Sequence, residues 1–159
     1  MKSIAQLEKE LHNRRVCVIF GLLAIAGVHI ADLPGKWHET NYIAWLYLGI
    51  IGAVLVGIER LVVKVSKRDY LASSVLSLSV LIGFVVNRTI GLPGATGDIG
   101  NWLEPLGLLS LFAEAFALWQ SLATFLVIIE LEAHQEFEAE VFSSRERWVG
   151  RFNLIFNKG

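Results

Sequence analysis

The sequence predicts an all-α protein, folded as a bundle of four transmembrane helices with amphipathic segments at both cytoplasmic ends. Of its 159 residues, 54% are hydrophobic and only 18% are charged, whereas a soluble domain carries about 25% charged residues. Four apolar stretches come close to the roughly 20 residues that a membrane-spanning helix needs. Because these stretches use most of the chain, we expect one integral membrane domain over residues 1–159.

The four predicted spans run over about residues 16–33, 42–63, 70–90 and 105–131. His29 and Asp32 are the strongly polar side chains of the first span, and Glu114 is the one acid well inside the last. Residues 132–159 are predicted to form a cytoplasmic or interfacial tail. The run Ala24-Ile25-Ala26 after a basic start is similar to a signal-peptide cleavage site, but we expect this segment to remain as an uncleaved span.

Lysine and arginine are distributed unevenly, and this asymmetry orients a membrane protein. Four of them precede the first span and four lie around the link between spans two and three, whereas the other two links hold Lys36 and Arg88. The two richer segments contain Lys2, Lys9, Arg14, Arg15, Arg60, Lys64, Lys67 and Arg68. We therefore expect an inner-membrane protein with both termini in the cytoplasm and the Lys36 and Arg88 links facing outward.

Both cytoplasmic ends carry helix-start signals. Ser3 and Gln6 fit a capping box, and residues 3–14 carry apolar side chains at helical spacing. A similar helix-start signal lies at Ser143. After it, residues 148–156 supply an apolar helix face beside basic residues. Such segments are typical of helices that lie on the membrane surface or dock on another subunit.

The two links predicted to face outward each contain Leu-Pro-Gly, at 33–35 and at 92–94. Proline cannot continue a helix and glycine accepts positive φ, so we expect each sequence to end a span and start a turn. Pro105 suits the first position of the last span, where a missing N–H costs nothing. The matched sequences also permit a duplication of two helical hairpins.

Small residues recur in the two middle spans, where they predict close helix packing because association in lipid depends on close approach. They are Gly49, Gly52, Ala53, Gly57, Ser73, Ser77, Ser79 and Gly83.

Polar side chains at the outward ends form the candidate site. His29 and Asp32 are three residues apart and so project from one helix face, and the other hairpin supplies Arg88, Asp98 and Glu104. A charged group at this depth is costly unless it is paired, so we expect these side chains to come together.

Two interpretations of this cluster stay open. Imidazole and carboxylates can bind a divalent metal ion such as zinc, copper or manganese, with the ligand set His29, Asp32, Asp98 and Glu104. Alternatively, Arg88 pairs with Asp32 or Asp98 and staples the two hairpins together. The sequence has no recognised metal-ligand spacing, which favours the ion pairs.

Other features offer further functional candidates. Aromatic residues gather near the predicted outer boundary, where such rings normally lie, and they can instead stack on a quinone or pigment; they are Trp37, Tyr42, Trp45, Tyr47 and Trp102. His29 has no second histidine within the spans, which argues against a bis-histidine haem. Glu114 is a functional candidate because an intramembrane carboxylate is costly.

Three motifs together resemble a class of small four-helix bacterial integral membrane proteins. They are His29-x-x-Asp32-x-Pro34, Arg88-Thr-x-Gly-Leu-Pro and Asp98-Ile-Gly-Asn-Trp-x-Glu-Pro-Leu-Gly. The resemblance covers roughly residues 20–115, and the motif that begins at Asp98 is the most distinctive. It implies a bacterial origin but no activity, so no functional residue is carried over.

Composition excludes some function classes and leaves three. With a net charge of −1, the chain lacks the excess of positive charge that nucleic-acid binding requires. Its single cysteine, Cys17, excludes an internal disulfide. We expect an accessory, non-catalytic subunit of a larger membrane complex, with other membrane subunits and the lipid bilayer as partners. The alternatives are a metal- or cofactor-binding membrane protein or enzyme that uses the outward cluster, and a small dimeric transporter that uses Glu114.

Overall fold

The computed structural model describes residues 3–64 and 66–156. Within these residues the chain has four α-helices, one short 3-10 turn and no β-strand; their bounds are α1 Ile4–Glu39, α2 Asn41–Val63, α3 Lys67–Thr89, the turn Thr96–Asp98 and α4 Pro105–Phe156. Each of these four described helices is long and apolar enough to cross a membrane. The all-α class and the predicted number of membrane-length helices are therefore confirmed.

Helix α1 packs against α4 and α2, α3 packs against α4, and the contact between α2 and α3 is the least extensive of these. Thr40 alone links α1 to α2, and residues 64–66 link α2 to α3, so consecutive helices run antiparallel. We call the end that holds Glu39, Asn41, Thr89 and Pro105 the upper end, and the opposite end the lower end. The loop over residues 90–104 is called the upper loop.

Helix α1 has the predicted capping box at its start but is longer than the predicted first span at both ends, because residues 4–14 continue into the span without a break. The Gln6 N–H donates to the Ser3 hydroxyl while the Ser3 N–H donates to the Gln6 side chain, which completes the capping box. The predicted end at 33–35 is wrong, because α1 continues through Pro34 to Glu39. Proline inside a helix costs one hydrogen bond, and the added turn is held by the ion pairs of Lys36 described below.

The upper loop follows the predicted turn at 92–94. Helix α3 ends at Thr89, and Gly91, Gly94 and Gly100 have φ of 82°, 75° and 77°, a region that favours glycine. The Gly100 N–H donates to the Arg88 carbonyl at 2.9 Å, which folds the loop back over the end of α3. Pro105 starts α4, as predicted.

Helix α4 is one continuous helix of 52 residues, about 78 Å long at 1.5 Å per residue. The separate helix start predicted at Ser143 is therefore wrong: its hydroxyl donates to the Glu140 carbonyl at 2.9 Å within the continuing helix. Of the predicted tail, residues 157–159 and the side chains of 150–156 lie outside the described structure, as does Lys2.

The apolar core lies in the middle and lower parts of the bundle. Its buried members are Val18, Leu22, Ile25, Ala26, Val54, Leu61, Tyr70, Ala113, Ala117 and Ile128. Gly21 permits a close approach of α1 to α4, because a Cβ there would lie 3.0 Å from the Ala117 Cα. The upper part of the bundle is organised differently, around a cavity.

Candidate functional site

A cavity of about 300 Å³ lies in the upper part of the bundle, with walls from α1, α2, α3, α4 and the upper loop. Its polar lining includes every charged or ionisable residue singled out from the sequence as a site candidate: His29, Asp32, Arg88, Asp98, Glu104 and Glu114. Aliphatic and aromatic side chains form much of the remaining wall. The structure therefore brings the candidate residues together around one space.

Arg88 is the centre of the polar cluster at the upper end. It is only 5% exposed, its guanidinium pairs with Asp98 Oδ1 at 3.1 Å, and it also pairs with the Glu104 carboxylate. The guanidinium carbon lies 5.3 Å from the centroid of the Phe84 ring. Gly107 makes room for this arrangement, because a Cβ there would lie 2.8 Å from Arg88 Nη2.

Asp98 connects the upper loop to two helices. It accepts hydrogen bonds from Asn87 Nδ2 at 2.9 Å and from Lys36 Nζ at 3.2 Å, and Lys36 also pairs with Glu39 at 2.9 Å. Burial alone would raise the pKa of Asp98, but the hydrogen bonds from Asn87 and Lys36 and the charges of Lys36 and Arg88 lower it below its usual value. The carboxylate is therefore ionised at neutral pH.

Asp32 and His29 make a second set of contacts, between α1 and α2. The Tyr47 hydroxyl donates to Asp32 Oδ2 at 3.0 Å, and the His29 ring lies edge-on to Tyr47 with centroids 4.6 Å apart. His29 Nδ1 lies 2.8 Å from the Ile25 carbonyl, an atom that can only accept, so Nδ1 carries the proton. The ion pairs of Arg88 thus go to Asp98 and Glu104, while Asp32 bonds to Tyr47.

Metal ligation finds no geometric support in the described residues. No group of three or more His, Cys, Asp or Glu side chains among them is placed to hold a metal ion. Asp98 and Glu104 are instead neutralised by Arg88 and Lys36. The set His29, Asp32, Asp98 and Glu104 lines the cavity but stays a prediction as a metal site.

Glu114 lies deeper in the cavity wall and is 1% exposed. The Ser110 hydroxyl donates to its Oε1 at 2.6 Å, whereas Oε2 has no hydrogen-bond partner among the described residues. Glu114 follows Gly107, which lies beside Arg88, by seven residues on α4, so the Glu114 Cα lies about 10 Å below the Gly107 Cα along the helix axis. The cavity thus has a charged upper end and a buried carboxylate farther down.

The sequence did not reveal the hydrogen bonds and ion pairs that three further residues make in the site: Lys36, Asn87 and Tyr47. Lys36 is missed because Pro34 is expected to end the helix before it. Of the aromatic group, Tyr47 lines the cavity, whereas the side chains of Trp37, Trp45 and Trp102 are exposed. One feature of the sequence could have pointed to Lys36: it is one of only two basic residues in the links predicted to face outward.

Fold and site together define, over the described residues, a bundle of four membrane-length helices with a cavity whose upper end is polar. Comparison with known proteins finds no family, no curated protein and no solved structure that matches this chain. The function is therefore argued from the chemistry of the cavity.

Proposed function

We propose that this chain is an integral membrane protein that binds a small molecule in its upper cavity. The observation that carries this proposal is a space of about 300 Å³ lined by apolar walls and a few convergent polar groups. Ligand pockets have this composition and begin at about this size. Protein interiors otherwise fill such spaces with side chains, and polar groups at membrane depth are expensive to keep without a function.

The polar cluster forms the roof of the proposed binding site. Arg88 and Lys36 hold the upper loop in place through Asp98, and the Tyr42 hydroxyl donates to the Pro93 carbonyl at 2.7 Å. These bonds attach the loop to α1, α2 and α3, so the roof is formed before a ligand arrives. We propose that the ligand enters between α2 and α3, the least extensively packed neighbours.

Filling the cavity tests this function. Gly83 lines the cavity and a Cβ there meets nothing within 4 Å, so Gly83→Leu is expected to occupy the space without disturbing the helix. Gly49 on α2 is exposed and equally open at Cβ, so Gly49→Leu is the matched control. Fluorine-19 NMR with 2-(4-fluorophenyl)ethanol separates saturable binding from partition into the detergent, which does not saturate.

We expect saturable binding of this probe to the wild type and to Gly49→Leu, and its loss in Gly83→Leu. Binding is lost in Gly83→Leu because the leucine side chain would take the volume that the phenyl ring needs. Equal saturable binding by all three proteins, or none by the wild type, would contradict the proposal.

The proposed orientation has both termini in the cytoplasm and the upper loop outside. Lys36 and Arg88, the basic residues expected on the outer side, both lie at the upper end in ion pairs. In a Cys17→Ser background, Gly97→Cys is expected to react with a membrane-impermeant maleimide in intact cells, because Gly97 is exposed and open at Cβ. Lys64→Cys at the lower end should react only after lysis, and the reverse pattern would refute the orientation.

A second candidate function, an accessory subunit of a larger membrane complex, is favoured by the far part of α4. The helix continues beyond the bundle without a break, and the large apolar side chains of Phe137, Phe142 and Trp148 on it are exposed. Exposed apolar surface of this kind favours a protein or membrane contact. The two functions are compatible, because the cavity and this part of α4 are at opposite ends of the helix.

A further inference from the structure

We infer that the ligand of the upper cavity is an organic cation, a primary amine with an apolar body whose ammonium group is bound by Glu114. This inference rests on the proposed function, because it assigns a chemical class to the molecule in that cavity. It is carried by the state of the Glu114 carboxylate, the charge of the lining and the nature of the walls.

The two oxygens of Glu114 differ in a way that leaves one free for a donor. Ser110 donates to Oε1, and this bond fixes the carboxylate in the cavity wall. Oε2 is buried and has no partner among the described residues, and a buried polar atom without a partner is costly. A proton on Oε2 would turn the acceptor into a donor that equally lacks a partner, so protonation alone does not satisfy it.

A ligand ammonium group satisfies this oxygen. It brings N–H donors and a positive charge, and a hydrogen bond between ionised groups is stronger than one between neutral groups. An inorganic cation fits less well, because no three acidic or histidine side chains among the described residues are placed to share a metal ion. Ser110 and Glu114 alone would leave such an ion poorly coordinated.

The charge balance of the lining also favours a cation. Among the lining residues that the structure describes, the four carboxylates exceed the two basic side chains; they are Asp32, Asp98, Glu104 and Glu114 against Lys36 and Arg88. Both basic groups are already engaged: Arg88 with Asp98 and Glu104, and Lys36 with Asp98. An anionic ligand would have to displace one of these ion pairs, whereas a cation at Glu114 displaces none.

The walls around the level of Glu114 match an apolar ligand body. Ile50 of α2 and the α3 residues Leu76 and Val80 line the cavity. A volume of about 300 Å³ is enough for a single ring and a short chain. A compact aromatic or aliphatic amine therefore fits both the polar and the apolar parts of the cavity.

A matched pair of probes tests the inference. The amine 2-(4-fluorophenyl)ethylamine and the alcohol 2-(4-fluorophenyl)ethanol share one ring and differ in the charged group, and fluorine-19 NMR measures the affinity of each. In the wild type we expect the amine to bind about tenfold more tightly or better, as a charge-assisted hydrogen bond predicts. In Glu114→Gln we expect this preference to vanish while alcohol binding persists, which shows that the cavity is intact.

Glu59→Gln serves as the control, because Glu59 is exposed on α2 and remote from the cavity lining, and it should retain the wild-type preference. Equal affinities of amine and alcohol in the wild type, or an amine preference that survives in Glu114→Gln, would overturn the inference and leave the proposed function standing. Equal wild-type affinities overturn the inference even if Glu114→Gln fails to fold. Saturable binding of neither probe to the wild type would refute the proposed function and this inference together.

Discussion

Replacing Arg88 with methionine is expected to lower the free energy of unfolding by about 3–5 kcal/mol, the usual cost of removing one partner from a buried ion pair. Arg88 is 5% exposed and pairs with both Asp98 and Glu104. Methionine fills a similar volume, but it leaves two carboxylates near the roof without their shared cation. Equilibrium unfolding in detergent, followed by circular dichroism, measures the loss.

Lys67→Met is the matched control for this prediction. Lys67 pairs with Glu132 at 2.7 Å, but the two side chains are 50% and 43% exposed. Exposed ion pairs contribute about 0–1 kcal/mol, so this variant should unfold nearly like the wild type. Equal and small losses in the two variants would show that Arg88 does not hold the roof of the cavity.

The membrane-length helices were predictable because the length of an apolar run is itself the physical requirement for crossing a bilayer. The helix ends were less predictable, since local signals compete with tertiary contacts. Pro34 favours a stop, yet α1 continues to Glu39, where Lys36 gains ion pairs with Asp98 and Glu39. At Ser143 the start signal has no effect, because the glutamates before it are good helix formers and α4 continues through them.

The members of the site were easier to predict than their partners. Polar side chains near the ends of apolar spans are conspicuous because they are costly, and this selects Arg88, Asp98 and Asp32. Which acid pairs with Arg88 depends on the path of the upper loop. That path is set by the positive φ values of Gly91, Gly94 and Gly100, which the sequence does not specify, and the loop brings Asp98 to Arg88.

The small-residue pattern shows the same limit. Gly49, Gly52 and Gly83 are predicted to mark close packing, yet a Cβ at each meets nothing within 4 Å. A close contact between α1 and α4 involves Gly21 instead, where a Cβ would lie 3.0 Å from the Ala117 Cα. Spacing along one helix cannot tell which face meets a neighbour, because that choice depends on how the whole bundle is arranged.

The contact at Gly21 leads to the second large expected effect. Gly21→Leu should lower the free energy of unfolding by about 3 kcal/mol, the upper range for overpacking a well-packed core. The atom that its Cβ meets belongs to the Ala117 backbone, so relief requires α1 and α4 to move apart. The same unfolding experiment measures the loss.

Gly27→Leu on the same helix is the control, because a Cβ at Gly27 meets nothing within 4 Å. Leucine has a higher helix propensity than glycine by roughly 0.5–1 kcal/mol, so this variant should be as stable as the wild type or slightly more so. If Gly21→Leu were tolerated as well as Gly27→Leu, α1 and α4 would not approach each other closely at Gly21. Because both variants make the same chemical change in one helix, the difference between them isolates the contact with α4 from helix propensity and from the added apolar surface.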